Sequence, residues 1–268
     1  MGLFPLKGGE HIIFYQIILN VKQLTNMSIM KKFLLFIAGV ILATSCTSQI
    51  QYNSKKVFLT MEELPNAVKF LPAPPMSGAA YDEDVKYYEW GKEQRKDPKI
   101  SANCLRQDTM DVTTIFNEAL GFKLLSYQNK EILDLVSWAV KDARKVSNPA
   151  KEYYKRLKPF QVFHEASLKD NAKSAMSSST FAYPSGHAVR SWTYAFVLAD
   201  VAPEYTKVLN KCADDYSMGR VIMGRHWKTD IDAGKMVAAK VYEKLKKSPA
   251  YQAQLKLARE QYKTVQKQ

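Results

Sequence analysis

Two motifs are the most informative parts of this chain: FAYPSGHAVRSW at residues 181–192 and YSMGRVIMGRHWKTDIDAGK at residues 216–235. They contain two of the four histidines in the sequence, His187 and His226, each surrounded by small and charged residues. Asp230 follows the second histidine by four positions, so a helical backbone would place both side chains on one face. The two histidines and this carboxylate are therefore candidate catalytic residues.

The residue types in these motifs suit the chemistry of an oxyanion. A carboxylate at Asp230 would accept a proton from one nitrogen of His226 and leave the other nitrogen oriented and nucleophilic. A protonated His187 could give its proton to a leaving group. Arg220 offers a guanidinium that can pair bidentately with phosphate or carboxylate. Ser185-Gly186 after a proline predicts a turn into a helix whose free N–H groups bind anions.

A basic segment upstream supplies further cations. Lys151 and Lys158 lie seven residues apart in AKEYYKRLKPF, so about two turns of helix would put them on one side. Pro159 is expected to end that run. A cluster of fixed cations favours a multiply charged substrate, and phosphate fits best because phosphoryl transfer depends mainly on positioning and charge stabilisation.

With these residues, the chain resembles the bacterial class A non-specific acid phosphatases, in the superfamily of type 2 phosphatidic acid phosphatases and vanadium haloperoxidases. The superfamily pattern is Lys, six residues, Arg-Pro; then Pro-Ser-Gly-His; then Ser-Arg, five residues, His, three residues, Asp. Two departures occur: Lys158 replaces the arginine, which implies a weaker phosphate contact, and Gly219 replaces the serine, which implies an effect on backbone support only. The resemblance extends from about Gln51 to Lys247.

This resemblance implies a single compact all-α helical bundle of the acid phosphatase and haloperoxidase type. It also implies metal-independent hydrolysis of phosphate monoesters, of broad specificity and without a cofactor, through a phosphohistidine. His226 would be the nucleophile, Asp230 would orient it, and His187 would act as general acid and base. The implied phosphate-binding residues are Lys151, Lys158, Ser185, Gly186 and Arg220.

Other functions remain open from the sequence alone. A vanadium-dependent haloperoxidase uses the same kind of anion pocket, although those chains are generally longer. An inactive, anion-binding lipoprotein is a second alternative, with Lys158 as a sign of decay. An integral-membrane lipid phosphatase would need several apolar spans of about twenty residues, and none follows Cys46.

The N-terminal region predicts export. Two lysines after Met30 precede the eleven apolar residues FLLFIAGVILA, and small residues then lead to Cys46. This pattern resembles a lipoprotein signal peptide with a lipidated cysteine, and residues 1–29 are interpreted as an upstream extension; a long uncleaved anchor is the alternative. The predicted organisation is 1–45 extension and signal, 46–68 lipidated cysteine and tether, and 69–268 phosphatase domain. We expect a periplasmic protein, held at a bacterial membrane only by its lipid.

Three apolar stripes at helical spacing predict core helices. In chain order, the stripes comprise Ile132, Leu135, Val136, Ala139, Val140 and Ala143; Ala188, Trp192, Ala195, Phe196 and Ala199; and Ile231, Gly234, Val237, Ala238, Val241 and Leu245. The segment Lys169 to Tyr183, rich in serine and alanine, predicts a flexible flap before the first histidine motif.

The composition restricts the partners. The 268 residues carry a net charge of +13, and removing residues 1–45, with four lysines and one glutamate, leaves 223 residues and about +10. This charge suits small phosphorylated substrates, and no nucleic-acid-binding motif is present. Metal motifs such as HExxH or CxxC are absent from the sequence. Cys104 and Cys212 could pair or stay free. Relatives commonly self-associate, so a dimer or larger homo-oligomer is expected.

Overall fold

The computed structural model describes residues 57–169 and 181–266, which form helices joined by short connections. The helices are α1 (Ala67–Phe70), α2 (Ala79–Gln94), α3 (Pro98–Thr109), α4 (Val112–Leu120), α5 (Lys130–Tyr154), α6 (Pro159–Val162), α7 (Gly186–Val201), α8 (Thr206–Ile222), α9 (Lys228–Leu245) and α10 (Pro249–Val265), with 3₁₀ turns at Tyr127–Asn129 and Pro203–Tyr205. Within these ranges there is no strand, and the predicted all-α class is confirmed.

Helix α7 is the centre of the bundle and packs against α5, α8 and α9. The stripes predicted on α5 and α9 are fully buried, as an amphipathic helix on a core requires. Of the stripe predicted on α7, Ala188, Trp192 and Ala195 are buried, whereas Phe196 and Ala199 are only half-buried. Ser191, Thr193 and Val197, which lie outside the stripe, are also buried. A helix buried on nearly all sides gives its first turn, which carries His187, a rigid support.

Helices α7 and α9 approach each other at a glycine. A Cβ atom on Gly234 would lie 2.7 Å from the Ala188 Cβ and 2.8 Å from the Ser185 carbonyl oxygen. In addition, the Ser185 N–H donates to the backbone carbonyl of Asp230 at 2.9 Å. This close contact joins the Pro-Ser-Gly-His turn to the start of the helix that carries the aspartate.

The segment before α1 belongs to the packed domain. The backbone N–H groups of Phe58 and Leu59 donate to the Asp142 carboxylate at 2.9 and 3.1 Å, and both side chains are buried. The Phe58 ring packs edge-on against Tyr251. The structured domain therefore already includes residue 58, whereas the sequence predicted a tether up to residue 68.

Several sequence predictions fall on residues 1–56 and 170–180, which lie outside the described residues; they include the signal peptide, Cys46 and most of the expected flap. After that gap, Tyr183 is buried and its hydroxyl donates to the Pro72 carbonyl at 2.6 Å. Among the described helices, none has the length and apolar character needed to cross a membrane. Cys104 and Cys212 are buried free thiols, so the pairing left open from the sequence does not form.

Candidate active site

A cavity of about 270 Å³ lies where the C-terminal half of α5, the first turns of α7, the end of α8 and the segment before α9 meet. Its lining in the described part of the chain includes six basic residues and two histidines but no Asp or Glu. The lining residues are Arg144, Ser147, Asn148, Lys151, Lys158, Phe181, Gly186, His187, Arg190, Arg220, Arg225 and His226. The cavity is therefore strongly positive.

His226 and Asp230 meet at one wall of this cavity. The distance from His226 Nδ1 to Asp230 Oδ2 is 3.3 Å. The sequence predicted that both residues lie on one continuous helix. This prediction is wrong, because α9 begins only at Lys228, after His226. Instead the carboxylate lies in the first turn and the same oxygen accepts the Trp227 N–H at 2.8 Å. Since Nδ1 faces the carboxylate, Nε2 is the nitrogen left for chemistry.

Burial and charge keep His226 neutral. Burial lowers the pKa of His226 well below its usual value, and the neighbouring cations Lys151 and Arg220 lower it further. For Asp230, burial raises the pKa, while the Arg156 guanidinium opposes that effect. Burial therefore favours the neutral imidazole, whose Nδ1 faces a carboxylate.

His187 lies across the cavity on the first turn of α7, and its ring centroid is 6.4 Å from that of His226. Ser185 is the N-cap, and its hydroxyl accepts the Ala188 N–H at 3.4 Å, as the Pro-Ser-Gly-His turn predicted. Burial lowers the pKa of His187 well below its usual value, and the positive charges of Arg220 and Arg190 lower it further. Two neutral histidines therefore face one positively charged space.

The two lysines of the first motif both line the cavity, but the helix predicted between them is wrong. Helix α5 ends at Tyr154, and Lys155 has left-handed backbone with φ of 48°. Lys158 is the N-cap residue of the short helix α6, and Pro159 begins that helix where it was expected to end one. The lysines therefore approach the cavity from two separate elements.

Lys151 is held by the turn that precedes α7. Its Nζ donates to the carbonyl oxygens of Phe181 at 2.9 Å and Pro184 at 2.6 Å. Burial lowers the pKa of this ammonium to about 8, although the nearby Asp230 carboxylate opposes the shift. Lys151 therefore carries its charge in acidic and neutral solution and loses it in mildly alkaline solution.

Arg220, at the end of α8, is buried and paired with the Asp108 carboxylate. Burial alone would raise the pKa of Asp108, but Arg220 and Lys169 lower it to about 2, so the pair stays charged in acid. Among the described residues, Arg220 Nε has no hydrogen-bond partner. Gly219 stands where the superfamily motif has serine. A Cβ atom there would make ordinary van der Waals contact with Cys104 Sγ and Gln107 Oε1, each at 3.7 Å.

A buried network behind His226 was missed by the sequence analysis. Arg156 donates to Asp230 Oδ1 and to Asp84 Oδ2, each at 2.7 Å, and Asp84 also accepts the Thr229 N–H at 2.8 Å. An uncompensated buried charge costs about 3–5 kcal/mol, so the arginine holds both carboxylates in place. Its only sequence signal was an arginine in the basic run, and nothing marked Asp84 among its acidic neighbours.

Three arginines at the cavity were also missed: Arg144, Arg190 and Arg225. Helical spacing could have indicated two of them. Arg144 lies seven residues before Lys151 on α5, and Arg190 lies three residues after His187 on α7.

Other parts of the described surface lack this combination of groups. A larger depression, of about 1010 Å³, contains neither histidine nor arginine in its lining, which includes Phe122, Tyr205 and Tyr262. His164 is exposed and does not line the cavity. No group of three or more His, Cys, Asp or Glu arranged to hold a metal ion occurs in residues 57–169 and 181–266.

No family model matches the chain, whereas curated relatives do. The chain is 29% identical over 258 residues to the non-specific acid phosphatase of Providencia stuartii, and the match covers 89% of this chain and 100% of that protein. It is 28% identical over 236 residues to the non-specific acid phosphatase of Salmonella typhi, covering 86% and 92%. An acid phosphatase of Zymomonas mobilis is 21% identical over 195 residues, covering 72% and 74%.

The fold and the cavity together define an all-α protein with two histidines in a cation-lined pocket. The chain is a relative of the bacterial non-specific acid phosphatases, and the family resemblance carried by its three motifs is confirmed.

Proposed function

We propose that this protein is an acid phosphatase that hydrolyses phosphate monoesters, without a metal, through a phosphohistidine. The observation that carries the proposal is the single cavity in which His226, supported by Asp230, faces His187 among buried cations. The names of the relatives support phosphate monoesters over the reaction of a haloperoxidase. Small phosphorylated molecules are the corresponding substrates.

In the first step, Nε2 of His226 attacks phosphorus, and the bond from phosphorus to the ester oxygen breaks as the P–N bond forms. His187 gives its proton to the departing oxygen, which leaves as an alcohol. The low pKa of His226 provides the neutral nucleophile. His187 also has a lowered pKa in the free protein, and the dianionic substrate raises it again by placing negative charge beside the ring.

In the second step, His187 has become a base and takes a proton from water, which attacks phosphorus from the side that the alcohol left. The P–N bond breaks, its electron pair returns to Nε2 of His226, and inorganic phosphate departs. The centroid separation of 6.4 Å suits a phosphoryl group between the two rings, because reacting atoms in a near-attack arrangement lie about 3–3.5 Å apart.

The fixed charges of the site stabilise the phosphoryl oxygens in both steps. Lys151, Lys158 and Arg220 are the inner cations, and the Gly186 N–H at the start of α7 is the donor from the Pro-Ser-Gly-His turn. The Ser185 N–H is already used, because it donates to the Asp230 carbonyl. Because these groups are held before substrate arrives, little reorganisation is needed as charge develops. The Arg220 Nε donor, which lacks a partner in the described protein, has a phosphoryl oxygen as its natural acceptor.

Hydrolysis of 4-nitrophenyl phosphate by the purified protein, in acid and with EDTA present, tests the proposal. We expect turnover that EDTA does not reduce and that His226→Ala abolishes. His164→Asn is the matched control, because His164 is exposed, has φ of 53°, and asparagine tolerates this backbone region. Loss of activity in EDTA that a divalent ion restores, or full activity in His226→Ala, would contradict the mechanism.

The signal-like N-terminus extends the proposal to location. Export followed by lipidation at Cys46 would leave the domain on the periplasmic side of a bacterial membrane, attached by its acyl chains and not by a protein span. Assembly into a dimer or larger homo-oligomer is part of the same proposal.

A further inference from the structure

We propose that Arg156 and Asp84 are positioning residues for the phosphoryl transfer. By fixing the Asp230 carboxylate, they determine which nitrogen of His226 is free to attack phosphorus. Neither is among the described residues that line the cavity, so both act through the aspartate. The inference rests on the proposed function, and it adds helix α2, which carries none of the three motifs, to the elements that prepare the reaction.

Each oxygen of the Asp230 carboxylate has its own hydrogen-bond donor. Oδ1 accepts from Arg156 Nη1 at 2.7 Å, whereas Oδ2 accepts the Trp227 N–H at 2.8 Å and lies 3.3 Å from His226 Nδ1. Rotation of the carboxylate would break hydrogen bonds at both oxygens, one of them charge-assisted. The arginine therefore helps to keep one particular oxygen directed at the imidazole.

The Arg156 guanidinium is itself held on several sides. Its Nη1 also donates to Thr229 Oγ1 at 2.7 Å. Its Nη2 donates to Asp84 Oδ2 at 2.7 Å and to the Pro75 carbonyl at 2.9 Å, and the residue is only 2% exposed. A planar group with these fixed partners is confined to one orientation.

Asp84 connects this network to helix α2. Its Oδ1 accepts the Thr229 N–H at 2.8 Å, and its Oδ2 accepts the Thr229 hydroxyl at 2.6 Å as well as the guanidinium. Because the same hydroxyl accepts from Arg156, the three side chains form a closed ring of hydrogen bonds. Thr229 immediately precedes Asp230, so Asp84 fixes both the arginine and the first turn of α9.

The charge of Arg156 also affects where the imidazole carries its proton. An ionised carboxylate only accepts, so a neutral His226 beside it carries its proton on Nδ1 and keeps a lone pair on Nε2. A protonated Asp230 could instead donate to Nδ1, which would place the imidazole proton on Nε2 and prevent attack on phosphorus. Burial raises the pKa of Asp230, whereas the positive charges of Arg156 and, less strongly, Lys151 oppose that rise. The arginine therefore keeps the attacking nitrogen available in acid.

A charge-conserving double variant separates positioning from structural support. Arg156→Gln combined with Asp84→Asn removes one positive and one negative charge, so position 84 is not left with an unpaired buried carboxylate. If the arginine only neutralised Asp84, this variant would behave like the wild type. We expect it instead to lower kcat for 4-nitrophenyl phosphate at about pH 5 by at least about ten-fold. The inhibition constant of phosphate should change by less than about three-fold, because the inner cations remain.

Two further measurements respond to positioning but not to a merely structural role. On the acid side, kcat/KM should fall at a pH about one unit higher in the double variant, because loss of the contacting guanidinium raises the pKa of Asp230 and the carboxylate is lost as the pH falls through it. Histidine-selective ¹⁵N NMR reports the tautomer, with the His226 signals assigned by their absence from His226→Ala. We expect the proton on Nδ1 in the wild type and on Nε2 in the double variant at about pH 5.

Asp142→Asn is the matched control. Asp142 is also a fully buried carboxylate, and it accepts the N–H groups of Phe58 and Leu59, but it lies outside the cavity lining. Its kcat, its acid limb and its His226 tautomer should equal those of the wild type. If the double variant does not fold, Arg156→Lys replaces it, because lysine keeps the charge but lacks the fork that joins both carboxylates; kcat should again fall at least about ten-fold.

A folded double variant with the kcat, acid limb and tautomer of the wild type would overturn the positioning role, as would an Arg156→Lys variant as active as the wild type. Equal losses of kcat and of phosphate affinity would also overturn it, since they indicate general damage to the site. The NMR measurement needs no turnover. A changed tautomer in a protein that hydrolyses nothing supports the positioning role alone, while turnover with an unchanged tautomer in the double variant supports the phosphatase alone.

Discussion

At position 158 the chain carries lysine where the superfamily motif has arginine, and this side chain is only 3% exposed at the cavity wall. Lysine keeps the positive charge but offers one compact ammonium, whereas arginine offers a planar fork matched to two phosphoryl oxygens. The ammonium lies 5.9 Å from the centre of the Phe160 ring. Substitutions at position 158 therefore distinguish the contribution of a positive charge from that of the planar guanidinium group.

We expect Lys158→Ala to lower kcat/KM for 4-nitrophenyl phosphate by at least about 100-fold, because the transition state loses a cation. Lys158→Arg should raise it by up to about five-fold, which corresponds to ~1 kcal/mol for one charge-assisted hydrogen bond. Steady-state kinetics measure both, with Lys99→Ala on an exposed part of α3 as control. An alanine variant as active as the wild type would remove Lys158 from the site.

Lys151 gives the site an upper pH limit. Its pKa is lowered to about 8 by burial, so the free protein loses this positive charge as the pH rises through about 8. Competitive inhibition by phosphate should therefore weaken up to about ten-fold per pH unit above pH 8, since one proton must be taken up for binding. In Lys151→Arg the charge persists, and the inhibition constant should stay level to about pH 9.5.

The inhibition constants are measured across a range in which phosphate itself remains a dianion. His164→Asn should reproduce the wild-type profile. A wild type whose affinity for phosphate does not change between pH 7.5 and pH 9.5 would show that the lysine is not part of the phosphate site.

Helical periodicity predicted the core helices α5, α7 and α9, but not the residue at which α5 ends. The six stripe residues on α5 are buried as expected, because helical periodicity reports which side faces the core. The chain leaves the helix after Tyr154, and Arg156 then pairs with Asp84 and Asp230, which are 72 and 74 residues away. Such distant partners leave no local pattern, so the helix between Lys151 and Lys158 was predicted wrongly.

In the candidate site, too, local spacing identified residues but not their long-range contacts. Residue type and spacing were sufficient to nominate both histidines, Asp230 and Arg220, which all lie around one cavity or its wall. The spacing of four residues predicted that His226 and Asp230 meet on one helix. Instead, the Asp230 carboxylate in the first turn of α9 contacts residues that precede the helix. Asp84 was invisible because its role depends on burial, which one acidic residue among several does not reveal.

Gly234 is the point where α7 and α9 touch, and it links the two histidine motifs. In Gly234→Ala the new methyl would overlap Ala188 and the Ser185 carbonyl, at 2.7 and 2.8 Å. Overpacking of this kind costs about 1–3 kcal/mol, which outweighs the gain of about 0.5–1 kcal/mol in helix propensity. We expect a lower free energy of unfolding in urea and a reduced kcat, because the two motifs move apart.

Met236→Ala, at an exposed position two residues along α9, should change the free energy of unfolding by no more than about 0.5 kcal/mol. If Gly234→Ala were as stable and as active as the wild type, the close contact between α7 and α9 would not position the site.

For the whole molecule, the predicted class follows from helical periodicity in three long segments together with family motifs between them. The order in which helices pack around α7 follows from shape complementarity along whole helices, which periodicity does not contain. The positive charge is also organised only by the fold. A net charge of +13 is visible in the sequence, but the basic residues around the cavity come from five parts of the chain: α5, the start of α6, α7, α8 and the segment before α9.

The proposed lipid anchor has a direct test in cell fractions. Cys46→Ser should leave the domain folded and active but move it from the membrane fraction to the soluble fraction, because buried acyl chains contribute about 0.8 kcal/mol per methylene. The membranes are washed at high salt, since a protein of this charge also binds anionic surfaces electrostatically. Thr47→Ala should remain with the membranes. Retention of Cys46→Ser in the washed membranes would place the anchor elsewhere in the chain.

The proposed mechanism depends above all on transfer of the phosphoryl group to Nε2 of His226. It is tested by mixing the protein with a radiolabelled phosphate monoester, quenching within milliseconds in denaturing alkali, and locating the label by peptide mapping. We expect acid-labile label on the peptide that contains His226 in the wild type. We expect no label in His226→Ala, and label in His187→Ala when the leaving group is a good one. Label trapped by His226→Ala, or found on any other residue of the wild type, would contradict it.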